Sequence, residues 1–344
     1  FSRARARPPA HPSPEAGPWR EKTDALADRI VAARSRGAAV MLAYGAHLIK
    51  NGAGPLVNAL IEGGAVTHVA TQGAGIIHDW EFAFQGASSE SVRENAPIGR
   101  FGTWAETGKW INLAVACGAA EGMGFGESMG RLIAEDGLSL PEKKTLAEQI
   151  RANPSDELTA ARADLLYMME RFDLSAGRQV VDHPYKRYSV TACAYSRRVP
   201  MTVHPGIGYD IYANHPMFIG GGIGRAAVTD ARIFARSVMD LSGGVYLSIG
   251  SAIMSPQVFE KAFSCANNVL RQEGSRIDGH YIGVVDIQEG GDWDWTSGEP
   301  PKEHPAYYLR FCKSFYRMGG TVDYFCVDNR VFLSALVESL RDRG

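Results

Sequence analysis

The segment "AAVMLAYG", residues 38–45, is an unbroken apolar run that ends in a small-residue turn. A strand with one face in water alternates polar and apolar positions. This run does not, so it predicts a strand buried on both faces. The pattern then repeats: a helix over "GPLVNALIEGG", a strand over "VTHVATQG", and after a gap a strand over "VPMTVH". Helices over "TDARIFARSVMDL", "PQVFEKAFSCANNVLRQ", "AYYLRFCKSFYRM" and "RVFLSALVESLRD" are separated by the strands "GVYLSIG", "YIGVVDI" and "VDYFCV". Strands alternating with helices of this length predict an α/β fold. The expected form is a doubly wound, mostly parallel sheet with helices on both faces, Rossmann-like in organisation.

Residues 1–22 hold five prolines and four arginines without apolar periodicity, and read as a flexible, solvated arm. The helix "TDALADRIVAARSRG" follows, with Thr23 as the expected cap. Residues 23–344 read as a single α/β domain, with a helical excursion at about 104–171. A net charge of −2 gives no drive toward nucleic acid, and no apolar run approaches the length of a membrane span. The five cysteines are scattered and never form a CxxC pair, which fits reduced thiols and a cytoplasmic location.

Ligands of open parallel sheets bind beyond the carboxyl ends of the strands. Two small-residue turns fall there, "YGAHLIKNG" and "TQGAGIIHD". Small residues let the backbone approach a pyrophosphate, and a helix N-terminus favours anionic oxygens. The second turn lacks the third glycine of a full dinucleotide fingerprint, and taken alone such a turn in a βαβ unit is more often structural than nucleotide-binding. "IGGGIGRAAVTD" contains the spacing Gly222, Gly224, Ala227, but no clear strand precedes it. In "DIQEGGDWDWTSGEPPKEHP" carboxylates flank Trp293 and Trp295, chemistry that suits an alkylammonium ion. The alternative is an acidic surface loop with its tryptophans tucked against the core. His204, His215 and Asp210 share a loop without zinc spacing, so no metal is expected.

Taken together, these strings resemble the deoxyhypusine synthase family, in a divergent bacterial branch. The resemblance covers "AYGAHLIKNG", "THVATQGAGIIHDWEFAF", "RVPMTVHPGIGYDI", "GGVYLSIGSAIMSP" and "VVDIQEGGDWDWTSGEPPKEHPAYY". It implies a homotetramer that uses NAD to oxidise spermidine and passes an aminobutyl group, through an enzyme lysine, to a protein lysine. It further implies that Gly45, Ala46, His47, Gln72, Gly73, Ala74, Gly75 and Asp79 line the cofactor. Asp292, Asp294, Trp295 and Glu303 would face a polyamine or related alkylamine. The chain departs from the family at Tyr307 and Leu309, where a tryptophan and the nucleophilic lysine are expected. Lys313, one turn on, is the candidate replacement, and His47, His78 and His204 are candidate general bases. Two other readings stay open: a catalytically silent protein that binds NAD or polyamine, and hydrolysis by His204 and Asp210.

Overall fold

The computed structural model describes residues 4–5 and 19–343; most of the proline- and arginine-rich arm lies outside the described residues. The strands are β1 (Ala4–Arg5), β2 (Val40–Tyr44), β3 (His68–Gln72), β4 (Ala87–Ser88) and β5 (Gly137–Leu140). They continue with β6 (Gly177–Val180), β7 (Met201–His204), β8 (Val245–Ile249), β9 (Tyr281–Asp286) and β10 (Thr321–Cys326). The helices begin with α1 (Trp19–Ser35), α2 (Ala46–Lys50), α3 (Gly54–Glu62), α4 (Gly73–Gln85) and α5 (Val92–Asn95). Next come α6 (Ala105–Ala120), α7 (Phe125–Ala134), α8 (Lys143–Ala152), α9 (Thr159–Arg171) and α10 (Val190–Arg197). The last four are α11 (Gly220–Met239), α12 (Met254–Gln272), α13 (Arg310–Tyr316) and α14 (Asn329–Arg341). No helix among the described residues is long and apolar enough to cross a membrane.

The chain divides into two compact units. Unit 2 takes the chain from Trp19 to Thr71 and again from Ala231 onward; Gln72–Asp230 form the bulk of unit 1, which also takes β1. Unit 2 is built on parallel strands in the order β10, β9, β8, β2, β3. Successive side chains on a strand point to opposite faces, so strands with no polar position must be covered twice. On one face Met41, Ala43, Tyr246, Ile282 and Val284 pack with Phe234, Phe259 and Phe315 from α11, α12 and α13. The other face is covered by α1, α3 and α14, where Phe325 of β10 meets Phe332 at a ring-centroid distance of 5.0 Å. This is the α/β arrangement with a doubly covered parallel sheet that the sequence predicts.

Helix α1 starts at Trp19, ahead of the expected cap. Thr23 is buried inside it, and its hydroxyl turns back to the Trp19 carbonyl at 2.9 Å instead of capping. The triglycine stretch is likewise no turn: Gly222, Gly224 and Ala227 lie within α11.

Unit 1 holds α4 to α10 and the antiparallel pair of β5 and β6. Three of its helix N-termini are held by buried carboxylates from elsewhere in the unit. Asp79 accepts from Ser189 Oγ (2.5 Å), Val190 N–H (2.9 Å) and Thr191 N–H (3.1 Å) at the start of α10. Asp230 accepts from Gly126 N–H of α7 (3.0 Å) and from Val203 N–H (2.7 Å). Asp210 lies at the start of α4, within reach of the Ala74 amide. A helix leaves its first amides without partners, and a negative group there also meets the positive end of the helix dipole. Burial raises the pKa of all three acids, that of Asp230 to about 7.

Candidate functional site

In unit 2 the chain passes from β2 to β3 on one side, then returns to place β8 on the other side of β2. The direction of winding reverses between β2 and β8. In open parallel sheets the crevice that takes a ligand lies beyond the carboxyl ends of the strands at such a reversal. Two glycines face each other there. The Gly45 amide donates to the Ile249 carbonyl at 3.0 Å, and a Cβ on Gly45 would overlap the Gly250 carbonyl. Gly250 has φ +59°, and a Cβ on it would come within 2.6 Å of Asn329 Nδ2. A Cβ on Gly45 would displace the Gly250 main chain, and one on Gly250 would sit at a left-handed φ against the Asn329 side chain, so the floor between the two turns is main chain packed on main chain.

Ala46 is buried beneath this floor and His47 stands exposed beside it. The Ser251 hydroxyl is buried and accepts the Ser255 amide at 3.2 Å, fixing the entry to α12. Ile253 and Ile287, each 73% exposed, follow β8 and β9. Asp286 closes β9 half-buried, its Oδ1 accepting the Gln288 amide at 3.1 Å.

The second expected cofactor turn lies in unit 1. Gln72 precedes α4, and Gly73, Ala74 and Gly75 form its first turn. A Cβ on Gly73 would overlap the Asp210 carboxylate, whose Oδ2 also accepts from Gly206 N–H (2.7 Å) and Tyr212 Oη (3.0 Å). The helix end expected to receive a pyrophosphate is thus held by the protein's own acid. Asp79, expected beside the cofactor, is 1% exposed with both oxygens committed to α10, which makes it a structural anchor.

Of the candidate bases, His204 ends β7 half-buried, and desolvation pushes its pKa down to about 4. His78 lies on the half-exposed face of α4, one turn beyond Ala74, with Nδ1 2.5 Å from Ser88 Oγ.

The proposed amine-facing residues of unit 2 do not converge. Trp295 is 3% exposed and belongs to the hydrophobic core, whereas Asp292, Asp294 and Glu303 are exposed. Asp294 Oδ1 accepts the amide and hydroxyl of Thr296 at 2.9 and 2.7 Å, which lowers its pKa. Trp293 donates to the Gly298 carbonyl at 2.9 Å and packs on His304. The loop is therefore the surface loop with inward tryptophans. Lys313 places Nζ 3.6 Å from the Tyr307 ring centroid, a cation–π contact, and Leu309 is sealed in the core at 1% exposure.

No protein-family model and no curated protein matches the chain. Among solved structures it is similar to a conserved LOR/SDH protein from Methanococcus maripaludis S2. That pair shares 14% identity over 98% of this chain and 74% of the other, with a TM-score of 0.49. It is also similar to ArgZ, a cyanobacterial arginine dihydrolase of the ornithine–ammonia cycle (14% identity, 94% of this chain, TM-score 0.47). AgrE in a ternary complex with ornithine and NAD+ gives 14% identity over 95% of this chain, with a TM-score of 0.45. The chain spans 33% of ArgZ and 34% of AgrE.

These neighbours correct the deoxyhypusine synthase resemblance. The strings that carried it are strand-end turns that any parallel α/β sheet needs, and its lysine position is the core residue Leu309. The lysine relay, the protein acceptor and the tetramer were implied by that resemblance alone, and lose that support.

Sequence reading missed the Gly45–Gly250 approach and the acids that cap α4 and α7. The "SIGS" turn is the local signal for the first. No local signal exists for the caps, since Asp210 and Asp230 are far in sequence from the helices they serve.

Proposed function

We propose that the chain is an NAD-dependent enzyme that acts on an alkylamine, with the dinucleotide over the carboxyl ends of β2 and β8. The observation that carries this reading is the pair of glycine turns at Gly45 and Gly250, set where the winding of the sheet reverses. Ligands of open parallel sheets bind beyond the carboxyl ends of the strands at such a reversal. Exposed Ile253 and Ile287 offer apolar surface to a planar ring, and Asp286 offers a carboxylate to a ribose hydroxyl. When bound, NAD supplies a hydride acceptor; the protein contributes position and charge. The amine half of the reading rests on Glu289, an exposed acid shortly after β9, which suits a cationic substrate.

Isothermal titration of NAD+ into ligand-stripped protein is the test. Saturable binding is expected, and Ile253→Glu, a change on an exposed side chain, should weaken it about tenfold by replacing apolar surface with a negative charge beside an anionic dinucleotide. Absence of heat at millimolar NAD+ would overturn the reading. Binding without any NADH formed from polyamines or basic amino acids would favour a silent binding protein instead.

A further inference from the structure

Unit 1 holds a cavity of about 510 Å³ between α6, β5, α8 and α9. Sites for small molecules span ~300–1,000 Å³, so it is large enough for a ligand. Leu140, Leu146 and Leu165, each buried, line it together with Leu158. Two charged side chains, Arg162 and Glu121, stand beside this apolar wall.

The two differ in what they can still offer. Glu121 gives both carboxylate oxygens to Arg131, at 2.5 and 3.1 Å, and its Oε1 also lies 3.6 Å from the Cys117 thiol. Burial pushes the pKa of that thiol up to about 12, so it stays neutral. Arg162 is different. Its side chain is 16% exposed, and among the described residues its guanidinium has one hydrogen-bond partner, Asp156, whose Oδ2 accepts from Nη1 at 3.1 Å. The other Asp156 oxygen accepts the Leu158 amide at 2.8 Å, which fixes the carboxylate at the entry to α9. The Nε and Nη2 donors of Arg162 remain, and that edge of a guanidinium matches a carboxylate through two parallel hydrogen bonds.

We propose that this cavity binds a monocarboxylate with an alkyl tail, its head on Arg162 and its tail among the leucines. Asp156 holds the guanidinium in place before the ligand arrives, so little side-chain freedom is lost on binding. Partial burial strengthens the charge-assisted bonds, and each methylene removed from water adds affinity. An alkylammonium fits poorly. It would meet Arg162 as a like charge, and the acid lining the cavity, Glu121, is committed to Arg131. The cavity shares no residue with the crevice of unit 2, so the proposal stands independently of any dinucleotide there.

Full-length protein with labelled leucine methyl groups, titrated with octanoate, octanol and octylamine, tests this by NMR. The Leu146 and Leu165 methyls are assigned through Leu146→Met and Leu165→Met. Octanoate is expected to shift both saturably at millimolar concentration or below, with octanol and octylamine each at least about tenfold weaker. Arg162→Gln should weaken octanoate about tenfold and leave octanol unchanged. Unmoved Leu146 and Leu165 methyls at millimolar octanoate would overturn the proposal, as would octylamine binding as tightly as octanoate. Undiminished octanoate affinity in folded Arg162→Gln would do the same. Should that variant fail to fold, the wild-type comparison decides, and equal affinities for octanoate and octanol would count against the carboxylate site.

Discussion

The carboxylate of Asp210 lies where a Cβ on Gly73 would have to go, so the first turn of α4 is built around an acid from a distant loop. Gly73→Ala should displace that carboxylate and destabilise the fold. Asp210→Asn should also destabilise it, by about 1–3 kcal/mol, because it replaces the acceptor-only carboxylate beside the α4 N-terminus with an amide that brings two donors into a buried site. Denaturant unfolding measures both; an unchanged midpoint for Gly73→Ala would contradict the packing described.

Asp79 was expected at a cofactor and serves α10 instead. Asp79→Ala removes the acceptor for three donors in a buried setting. It should cost about 3 kcal/mol, with NAD affinity unchanged in protein that remains folded. A selective loss of NAD affinity at unchanged stability would restore the cofactor role.

The tryptophan loop gives a paired test. Trp295→Ala should cost about 3–5 kcal/mol, since the ring fills the core of unit 2. Asp292→Asn and Glu303→Gln, on exposed side chains, should each change stability by less than about 0.5 kcal/mol. Thermal unfolding of the three variants checks the ordering.

The sheet was legible because its strands are apolar without alternation, and a strand such as Val40–Tyr44 has no other stable place. The place of Gly45 to His47 was legible too, since a small-residue turn after an apolar run closes a strand of a parallel sheet. What escaped reading depends on contacts between distant residues. Trp295 and Asp294 are neighbours in sequence, yet one is core and the other solvated, and composition alone cannot assign which indole turns inward. The role of Asp79 depends on Ser189, more than a hundred positions away.

Acid should weaken the fold through His183. Its side chain is fully buried and desolvation lowers its pKa to about 4, against the opposing pull of Asp136 at 3.4 Å. The unfolded chain takes up this proton near pH 6.5 and the folded chain only near 4. Stability is therefore intact above about pH 6.5 and falls as pH drops toward 4, by roughly 3 kcal/mol in all. His204 is displaced the same way and adds to the slope. His183→Phe should flatten the dependence of the unfolding midpoint between pH 6.5 and 4; an unaltered slope would contradict the burial of a neutral imidazole.

Hydrogen–deuterium exchange with and without NAD+ tests the dinucleotide site most directly, because it reports position as well as binding. The crevice at Gly45 and Gly250 predicts protection in the peptides spanning residues 44–52 and 249–257, with little change over 72–78, where Asp210 already holds the helix end. Protection confined to 72–78, or none anywhere at saturating NAD+, would contradict it.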